Sequence, residues 1–145
     1  MRYGWAGAAL ALVAASPALA AGVTLDSTVF VERQVGAARV LEQARALRPG
    51  DRVVYMLSWQ NPAGERFTVT NPLPRTVAYQ ASADGGEQVS VDGGRNWGRL
   101  DDLRVRDGDR WRQASPEDVT HVRWQVPRQL ALAGRGRLTY SAIVR

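Results

Sequence analysis

The fold is decided by residues 48–61, which read RPGDRVVYMLSWQN. Large apolar side chains recur there at every second position, at Val53, Tyr55, Leu57 and Trp59. A period of two with β-branched and aromatic residues is typical of a β-strand with one face in a core. Pro49-Gly50 before the run and Asn61-Pro62-Ala63-Gly64 after it are turn sequences. We therefore expect this stretch to be the central strand of a β-sandwich.

The rest of the chain repeats this pattern in short runs, separated by turns that are rich in Gly, Pro and Asp. The runs occupy residues 28–35, 66–71, 76–81, 88–91, 100–105, 120–126 and 137–144. Strands do not alternate with helix-length patterns, which argues against βαβ units and a parallel sheet. The pattern predicts an all-β chain with seven to nine strands in two packed antiparallel sheets.

Two segments leave their secondary structure open. Residues 39–47 carry apolar side chains at helical spacing, but they are confined between turns and strands, and we expect an edge strand rather than a helix. Ser115-Pro116-Glu117-Asp118 is either a single helical turn that is capped by a side chain or a loop.

Residues 1–20 have the layout of a secretory signal peptide. An apolar run of about a dozen residues follows the positive Arg2 and ends before Pro17, and Ala18-Leu19-Ala20 is a small-x-small cleavage site. The alternative is a retained membrane anchor, but a spanning helix needs roughly 20 apolar residues. We expect cleavage after Ala20, one domain over residues 21–145, no membrane span after cleavage, and a periplasmic or extracellular location.

The composition excludes several kinds of chemistry. All 19 basic residues are arginine and are opposed by 14 acidic residues, for a formal charge of +5. This modest and dispersed charge does not indicate a dedicated nucleic-acid surface. The chain has no cysteine, so it forms no disulfide, thiol nucleophile or thiolate metal site. Without lysine there is also no Schiff-base chemistry, lysine general base or lysine–asparagine cross-link.

A series of turn and core motifs runs through nearly the whole chain beyond the leader. They are Pro49-Gly50-Asp51-Arg52-Val53-Val54-Tyr55, Asn61, Val69-Thr70-Asn71-Pro72-Leu73-Pro74, Val77-Ala78-Tyr79, Ser90-Val91-Asp92-Gly93-Gly94 with Trp97, and Asp118-Val119-Thr120-His121-Val122-Arg123-Trp124. Together they resemble the bacterial conserved repeat domain, the domain of unknown function numbered eleven, in its small exported single-copy variant. The resemblance implies an immunoglobulin-like sandwich in an extracellular or cell-envelope module, and it implies little about activity.

The segment Ser90-Val91-Asp92-Gly93-Gly94-Arg95-Asn96-Trp97 also fits the S-x-D-x-G-x-x-W pattern of the Asp-box in sialidases and other propellers. In that motif the aspartate ties down a hairpin turn and the tryptophan packs beneath it. A propeller requires repeated blades, and this chain has one copy of the pattern. We therefore expect the segment to stabilise a turn.

No catalytic or metal-binding constellation is visible. Asp101-Asp102 and Asp107-Gly108-Asp109 suggest calcium, but the D-x-D-x-D-G order is missing, and nearby arginines favour ion pairs with these carboxylates. His121 has no partner at triad or zinc spacing, and we expect it to point away from the face of Trp124. A pair of carboxylates for glycoside hydrolysis would need no motif, since the two groups only have to meet in space. We expect no enzymatic activity, cofactor or metal.

Arginine is distributed in two ways. Between Arg95 and Arg112, six arginines meet four aspartates, and a phosphate-binding surface is rarely diluted in this way. After Asp118 there are arginines and no acid, at Arg123, Arg128, Arg135, Arg137 and Arg145. These residues either face an anionic envelope polymer or keep strand edges from pairing, and we favour the second explanation.

Two functions follow from these observations. The first is a non-enzymatic module that mediates protein–protein contacts in the cell envelope. The second is a binding module for an acidic carbohydrate or envelope polymer, which uses tryptophan and nearby arginine. We expect three aromatic side chains in the core, namely Trp59, Trp124 and Tyr140. The candidate partner-binding residues are Trp97, Trp111, Arg110 and Arg112.

Overall fold

The structure is a computed structural model that describes residues 22–83 and 85–145. The predicted signal peptide and Asp84 lie outside these residues. The described chain contains ten strands and one short helix: β1 (Thr24–Val35), β2 (Ala38–Gln43), β3 (Arg52–Gln60), β4 (Phe67–Pro72), β5 (Val77–Ser82), β6 (Gln88–Ser90), β7 (Arg104–Asp107), β8 (Arg110–Gln113), β9 (His121–Val126), α1 (Arg128–Ala131) and β10 (Arg135–Val144). Two 3-10 turns cover Leu100–Asp102 and Pro116–Asp118.

The strands form antiparallel sheets, as the alternating pattern predicts. One sheet has five strands in the order β2-β1-β3-β10-β5, and a second has three in the order β4-β9-β6. A separate two-stranded sheet is formed by β7 and β8. Strand β3 covers residues 52–60, which include the alternating residues Val53 to Trp59. It lies in the middle of the largest sheet, so its predicted central position is confirmed.

The predicted number of seven to nine strands is too low, because the described residues contain ten. The difference arises around the Asp107-Gly108-Asp109 turn, where extended chain folds back on itself. Arg106 is paired with Trp111 and Asp107 with Arg110, so the flanking residues form an additional hairpin. Short polar strands of this kind have too few apolar residues to be recognised by periodicity.

The segment at residues 39–47 is an edge strand for most of its length. Gly36 has a φ of 61°, and it closes a two-residue turn that pairs Val35 with Ala38. The turn sets β2 against β1 and leaves its other edge uncovered, so local hairpin geometry prevails over the helical spacing of the apolar residues. The prediction of an edge strand is confirmed for residues 39–43.

The core lies between the buried faces of the five-stranded and three-stranded sheets. The Trp59 ring meets the Phe67 ring edge to face with centroids 5.0 Å apart, and Trp124 contacts Tyr140 with centroids 5.7 Å apart. Trp59, Trp124 and Tyr140 are each at most 4% exposed, so their predicted core positions are confirmed. These rings join strands of different sheets into one hydrophobic cluster.

Within residues 22–83 and 85–145, no helix is long and apolar enough to cross a membrane. The helix α1 has four residues, and the two 3-10 turns have three each. The segment at Ser115–Asp118 is one of these turns, and Asp118 accepts hydrogen bonds from the backbone nitrogen and the hydroxyl of Ser115 at 2.8 and 3.0 Å. Of the two alternatives for this segment, the capped turn is therefore the one observed.

Candidate functional site

The turn at residues 90–97, which we call the Asp92 turn, is organised around the Asp92 carboxylate. Asp92 Oδ1 accepts hydrogen bonds from the Ser90 hydroxyl at 2.8 Å and from the backbone nitrogens of Arg95 and Asn96 at 3.1 and 2.9 Å. Its Oδ2 accepts a bond from the Asn96 side chain at 2.6 Å. These donors, with the Asn96 side chain as the largest cause, lower the pKa of Asp92 to about 2. The predicted role of the segment in stabilising a turn is confirmed.

Trp97 belongs to this turn and is half-buried. Its indole nitrogen donates to the Gly94 carbonyl oxygen at 3.0 Å. The guanidinium of Arg123 lies over the ring, 4.3 Å from its centroid, and also donates to Gln88 Oε1. The His121 ring lies at 75° to the Trp97 ring, with ring centroids 6.3 Å apart. Trp97 is thus engaged by its own chain, and one ring face is covered by a cation.

The β7–β8 hairpin follows the Asp92 turn and contains most of the exposed arginines of this region. Gly108 has a φ of 62° and begins a two-residue turn that joins the strands, as glycine does at the first central position of type II′ turns. The register pairs Arg104 with Gln113 and Arg106 with Trp111. Because side chains alternate along a strand, these four residues project from the same face of the hairpin. We call them the Arg-Trp face.

The opposite face of the hairpin is attached to the domain by the ion pair of Arg112 with Asp118. Arg112 donates to both oxygens of Asp118, at 2.6 and 2.9 Å, and lies 3.5 Å from Asp107. Such a bidentate pair fixes the guanidinium plane as well as its position. The Arg112 guanidinium holds the pKa of Asp118 well below its usual range. The charge of Arg112 is therefore compensated within the chain.

The Arg-Trp face itself points to solvent. Trp111 is 60% exposed, and the guanidinium of Arg106 lies 5.9 Å from the centroid of its ring. Arg104 and Gln113 are exposed beside them, and Gln113 donates to the Asp101 carbonyl oxygen at 3.3 Å. The face contains two arginines and a tryptophan, with no carboxylate among its four residues. It can therefore present a stacking surface and two planar anion-binding groups to a ligand.

The structure separates the four residues that the sequence indicated as a partner site. Trp111 lies on the exposed face, while Arg110 and Arg112 project from the opposite face of the hairpin. Trp97 is held in the Asp92 turn beneath Arg123. The residues that accompany Trp111 are instead Arg104 and Arg106, which sequence reasoning did not select. Their common face could have been inferred from the Gly108-Asp109 turn and the alternation of side chains.

Acid–base and metal-binding chemistry has little support among the described residues. They contain no group of three or more His, Asp or Glu side chains placed to hold a metal ion. His121 lies on the face of β9 opposite to Trp124, as predicted, and its Nδ1 is 3.0 Å from the Thr120 hydroxyl. A cleft beside β5 is lined by Glu87 and Asp101, but the Tyr79 hydroxyl donates to Glu87 at 2.6 Å.

Part of the C-terminal arginine group has partners within the chain. Arg123 lies over Trp97, and Arg145 donates to the carbonyl oxygens of Val77 and Glu117 at 3.4 and 2.9 Å. Arg128, Arg135 and Arg137 are exposed. The group is thus divided between structural residues and exposed charges.

No protein-family model matches the chain, and no curated protein or solved structure is significantly similar to it. The resemblance to the conserved repeat domain therefore rests on the turn and core motifs quoted above and stays a prediction.

Proposed function

We propose that this protein is an exported, non-enzymatic β-sandwich module that binds another protein of the cell envelope through the Arg-Trp face. One observation carries the proposal. Trp111 is 60% exposed beside Arg106, on a hairpin whose opposite face carries Arg112 paired with Asp118. A tryptophan side chain with this much of its surface exposed lies outside the hydrophobic core. A large exposed apolar group of this kind is typical of a surface that contacts a partner.

The fold part of the proposal is an immunoglobulin-like sandwich with its own connectivity. Immunoglobulin domains have strands A-B-E-D in one sheet and C-F-G in the other. The order β1-β3-β10-β5 corresponds to A-B-E-D in space, but the C-terminal strand β10 occupies the place of strand E. The likeness to the conserved repeat domain, as a small exported single-copy member, is proposed at this level of architecture.

The export part of the proposal rests on residues 1–20. Their positive start, apolar run and small-x-small end support a cleaved leader and a periplasmic or extracellular location. A chain without cysteine can fold in either location without disulfide chemistry.

A protein partner is favoured by the residue types on the face. Tryptophan and arginine are the residues that most often supply binding energy in protein interfaces, and lysine, which is depleted there, is absent from this chain. The uncovered edge strand β2 offers a second contact, since Leu41 within it and Val35 at the end of the neighbouring β1 are 48% and 58% exposed. A partner that meets the Arg-Trp face would present acidic groups around an apolar pocket.

The alternative function is binding of an acidic carbohydrate or envelope polymer. The same observation favours it, because an exposed indole can stack on a sugar ring while Arg104 and Arg106 bind carboxylates. The version of this alternative that relied on Trp97 and Trp111 together has less support, since Arg123 covers a face of Trp97.

Photo-crosslinking tests the proposal. A photoreactive amino acid is placed at Gln113 of the processed protein, and light is applied in the presence of the envelope fraction of the producing cell. We expect a covalent adduct that protease removes and that Trp111→Ala abolishes. The matched control carries the same group at Thr68, which is exposed on β4 in another sheet.

The outcomes separate the alternatives. An adduct that resists protease, together with retention on immobilised polygalacturonate that Trp111→Ala abolishes, supports the carbohydrate alternative and overturns the protein partner. The absence of any adduct at Gln113, or equal adducts from Thr68, overturns the assignment of the Arg-Trp face.

A further inference from the structure

An exposed apolar cluster lies in and beside α1, which joins β9 to β10, in segments that contain no residue of the Arg-Trp face. Leu130 and Leu132, in and directly after α1, are 62% and 64% exposed, and no large apolar side chain among the described residues is more exposed. Ala131 between them is fully buried. Because neighbouring residues of a helix point about 100° apart, burial of Ala131 directs both leucines outward.

The turn that contains these leucines is fixed in place. Gly134 has a φ of 77°, and its nitrogen donates to the Ala131 carbonyl oxygen at 2.9 Å, which ends the helix as glycine commonly does. The Gly134 carbonyl oxygen then accepts a bond from the Asn61 nitrogen at 2.7 Å. The leucines are therefore held outside the core by backbone hydrogen bonds and by the buried Ala131.

The neighbouring loop extends the cluster. Gly64 lies against Leu132, since a Cβ atom at Gly64 would be 3.5 Å from the Cα and Cδ2 atoms of Leu132. Pro62 and Ala63 in this loop are exposed, as are Pro127 and Ala133 beside α1. We call the six exposed residues the leucine tip: Pro62, Ala63, Pro127, Leu130, Leu132 and Ala133.

Exposed arginines lie in the segments that form the leucine tip. Arg66, Arg128 and Arg135 are exposed in the segments that form it, and Glu65 is the single acidic residue in those segments, residues 61–66 and 127–135. Arg137, two residues beyond Arg135 on β10, is exposed as well. Apolar side chains within a basic border complement a surface with an anionic layer above a hydrocarbon interior.

We propose that the leucine tip docks onto an anionic lipid surface. The composition favours lipid over a protein pocket, because the tip contains aliphatic side chains and proline but none of the aromatic anchors that supply most interface energy. A bilayer accepts leucine without shape complementarity, and its anionic headgroups pair with arginine in many geometries. The function goes beyond the proposed protein contact and would keep the module close to a membrane after its leader is removed.

Vesicle flotation tests this proposal. The processed protein, residues 21–145, includes every strand of the fold but not the apolar leader, which would itself bind lipid. We expect binding to vesicles of phosphatidylglycerol and phosphatidylcholine, and at least tenfold weaker binding to phosphatidylcholine alone. Leu130→Ser combined with Leu132→Ser should reduce the binding at least tenfold. Each of Arg128→Gln and Arg135→Gln should reduce it about fivefold at low salt.

Two control variants isolate the tip. Leu41→Ser changes a leucine that is 48% exposed on a different strand and should bind vesicles like the unchanged protein. Trp111→Ala changes the Arg-Trp face but not the leucine tip and should also bind vesicles like the unchanged protein. The test of the lipid contact is therefore independent of the test of the protein contact. Absence of binding to anionic vesicles, or equal binding by the double serine variant, would overturn the proposal. A dimer that the double serine variant converts to a monomer, without vesicle binding, would overturn it in favour of contact between two copies.

Discussion

Tyr55 and Tyr140 stack in the core, with ring centroids 4.6 Å apart and an angle of 4° between their planes. They are directly opposite each other on β3 and β10, which places their rings side by side on the buried face of the sheet. Their hydroxyls differ: Tyr140 accepts a hydrogen bond from the Asn71 side chain at 2.6 Å, whereas Tyr55 has no partner among the described residues. Burial raises the pKa of Tyr55 to about 12 and raises that of Tyr140 as well.

The two hydroxyls should therefore contribute differently to stability. Tyr140→Phe leaves the half-buried Asn71 amide without this acceptor and should lower the free energy of unfolding by about 1–2 kcal/mol. Tyr55→Phe removes an unpaired polar atom and should change it by less than about 0.5 kcal/mol, or increase it. Urea unfolding of the two single variants checks the prediction. Equal losses in both would show that the Asn71 bond does not distinguish them.

The contact between Trp59 and Gly136 should make the glycine irreplaceable. The two residues are paired on β3 and β10, and a Cβ atom at Gly136 would lie 2.5 Å from Cζ2 of the Trp59 ring. Gly136→Ala should therefore lower the free energy of unfolding by about 1–3 kcal/mol, through displacement of a buried indole. The matched control is Gly98→Ala, whose Cβ would meet the flexible Leu103 side chain at 3.4 Å. Similar melting temperatures for the two variants would contradict the prediction.

The contribution of the Asp92 turn to the free energy of unfolding should depend on pH. The pKa of Asp92 is about 2 in the folded chain and about 3.9 in an unfolded chain. The ionised carboxylate therefore stabilises the fold above about pH 4, and this stabilisation is lost as the pH falls toward 2. Asp92→Asn should lower the free energy of unfolding by about 1 kcal/mol at pH 6, since the exposed site weakens each bond. The difference between the two proteins should shrink at pH 2. A constant difference across this range would exclude the carboxylate as its source.

The ion pair between Arg112 and Asp118 should control the mobility of the hairpin. Arg112→Gln removes the bidentate contact at 2.6 and 2.9 Å that joins β8 to the turn at Pro116–Asp118. Because the hairpin has few buried residues, we expect faster amide exchange in residues 104–113 with no change in melting temperature. Hydrogen exchange by mass spectrometry measures the amide exchange of residues 104–113 and of the sheets in one experiment. Arg110→Gln serves as the control, since Arg110 forms no ion pair with Asp118. If residues 104–113 exchange as slowly in Arg112→Gln as in the unchanged protein, the ion pair has no role in the mobility of the hairpin.

The sequence predicts those features that depend on local chemistry. Alternation predicts β3, the two-residue turn at Gly36 accounts for the edge strand, and the pattern of the Asp-box predicts the turn at Asp92. It does not predict contacts between distant strands. The position of Arg123 over Trp97 requires β9 to pair with β6, and the place of β10 between β3 and β5 depends on the whole sheet.

For the candidate site, too, the sequence predicts some features and not others. Trp111, a candidate from the sequence, lies in turn-rich surroundings and is 60% exposed. Arg110 and Arg112, which the sequence indicated together with Trp111, project from the other face of the hairpin, because residues adjacent in sequence point to opposite faces of a strand. The residues that share its face are found at alternating positions and across the hairpin, at Arg104 and Arg106.

Oxidative footprinting of Trp111 tests most directly whether the Arg-Trp face is the contact surface. The processed protein is labelled with hydroxyl radicals, alone and with a detergent extract of its own envelope fraction, and oxidation is measured residue by residue. We expect the oxidation of Trp111 to fall at least threefold in the extract, while the half-buried Met56 on β3, which belongs to neither proposed contact, serves as a reference for general quenching. Oxidation of Trp111 at the same rate in both samples, after correction with Met56, would contradict the proposed function.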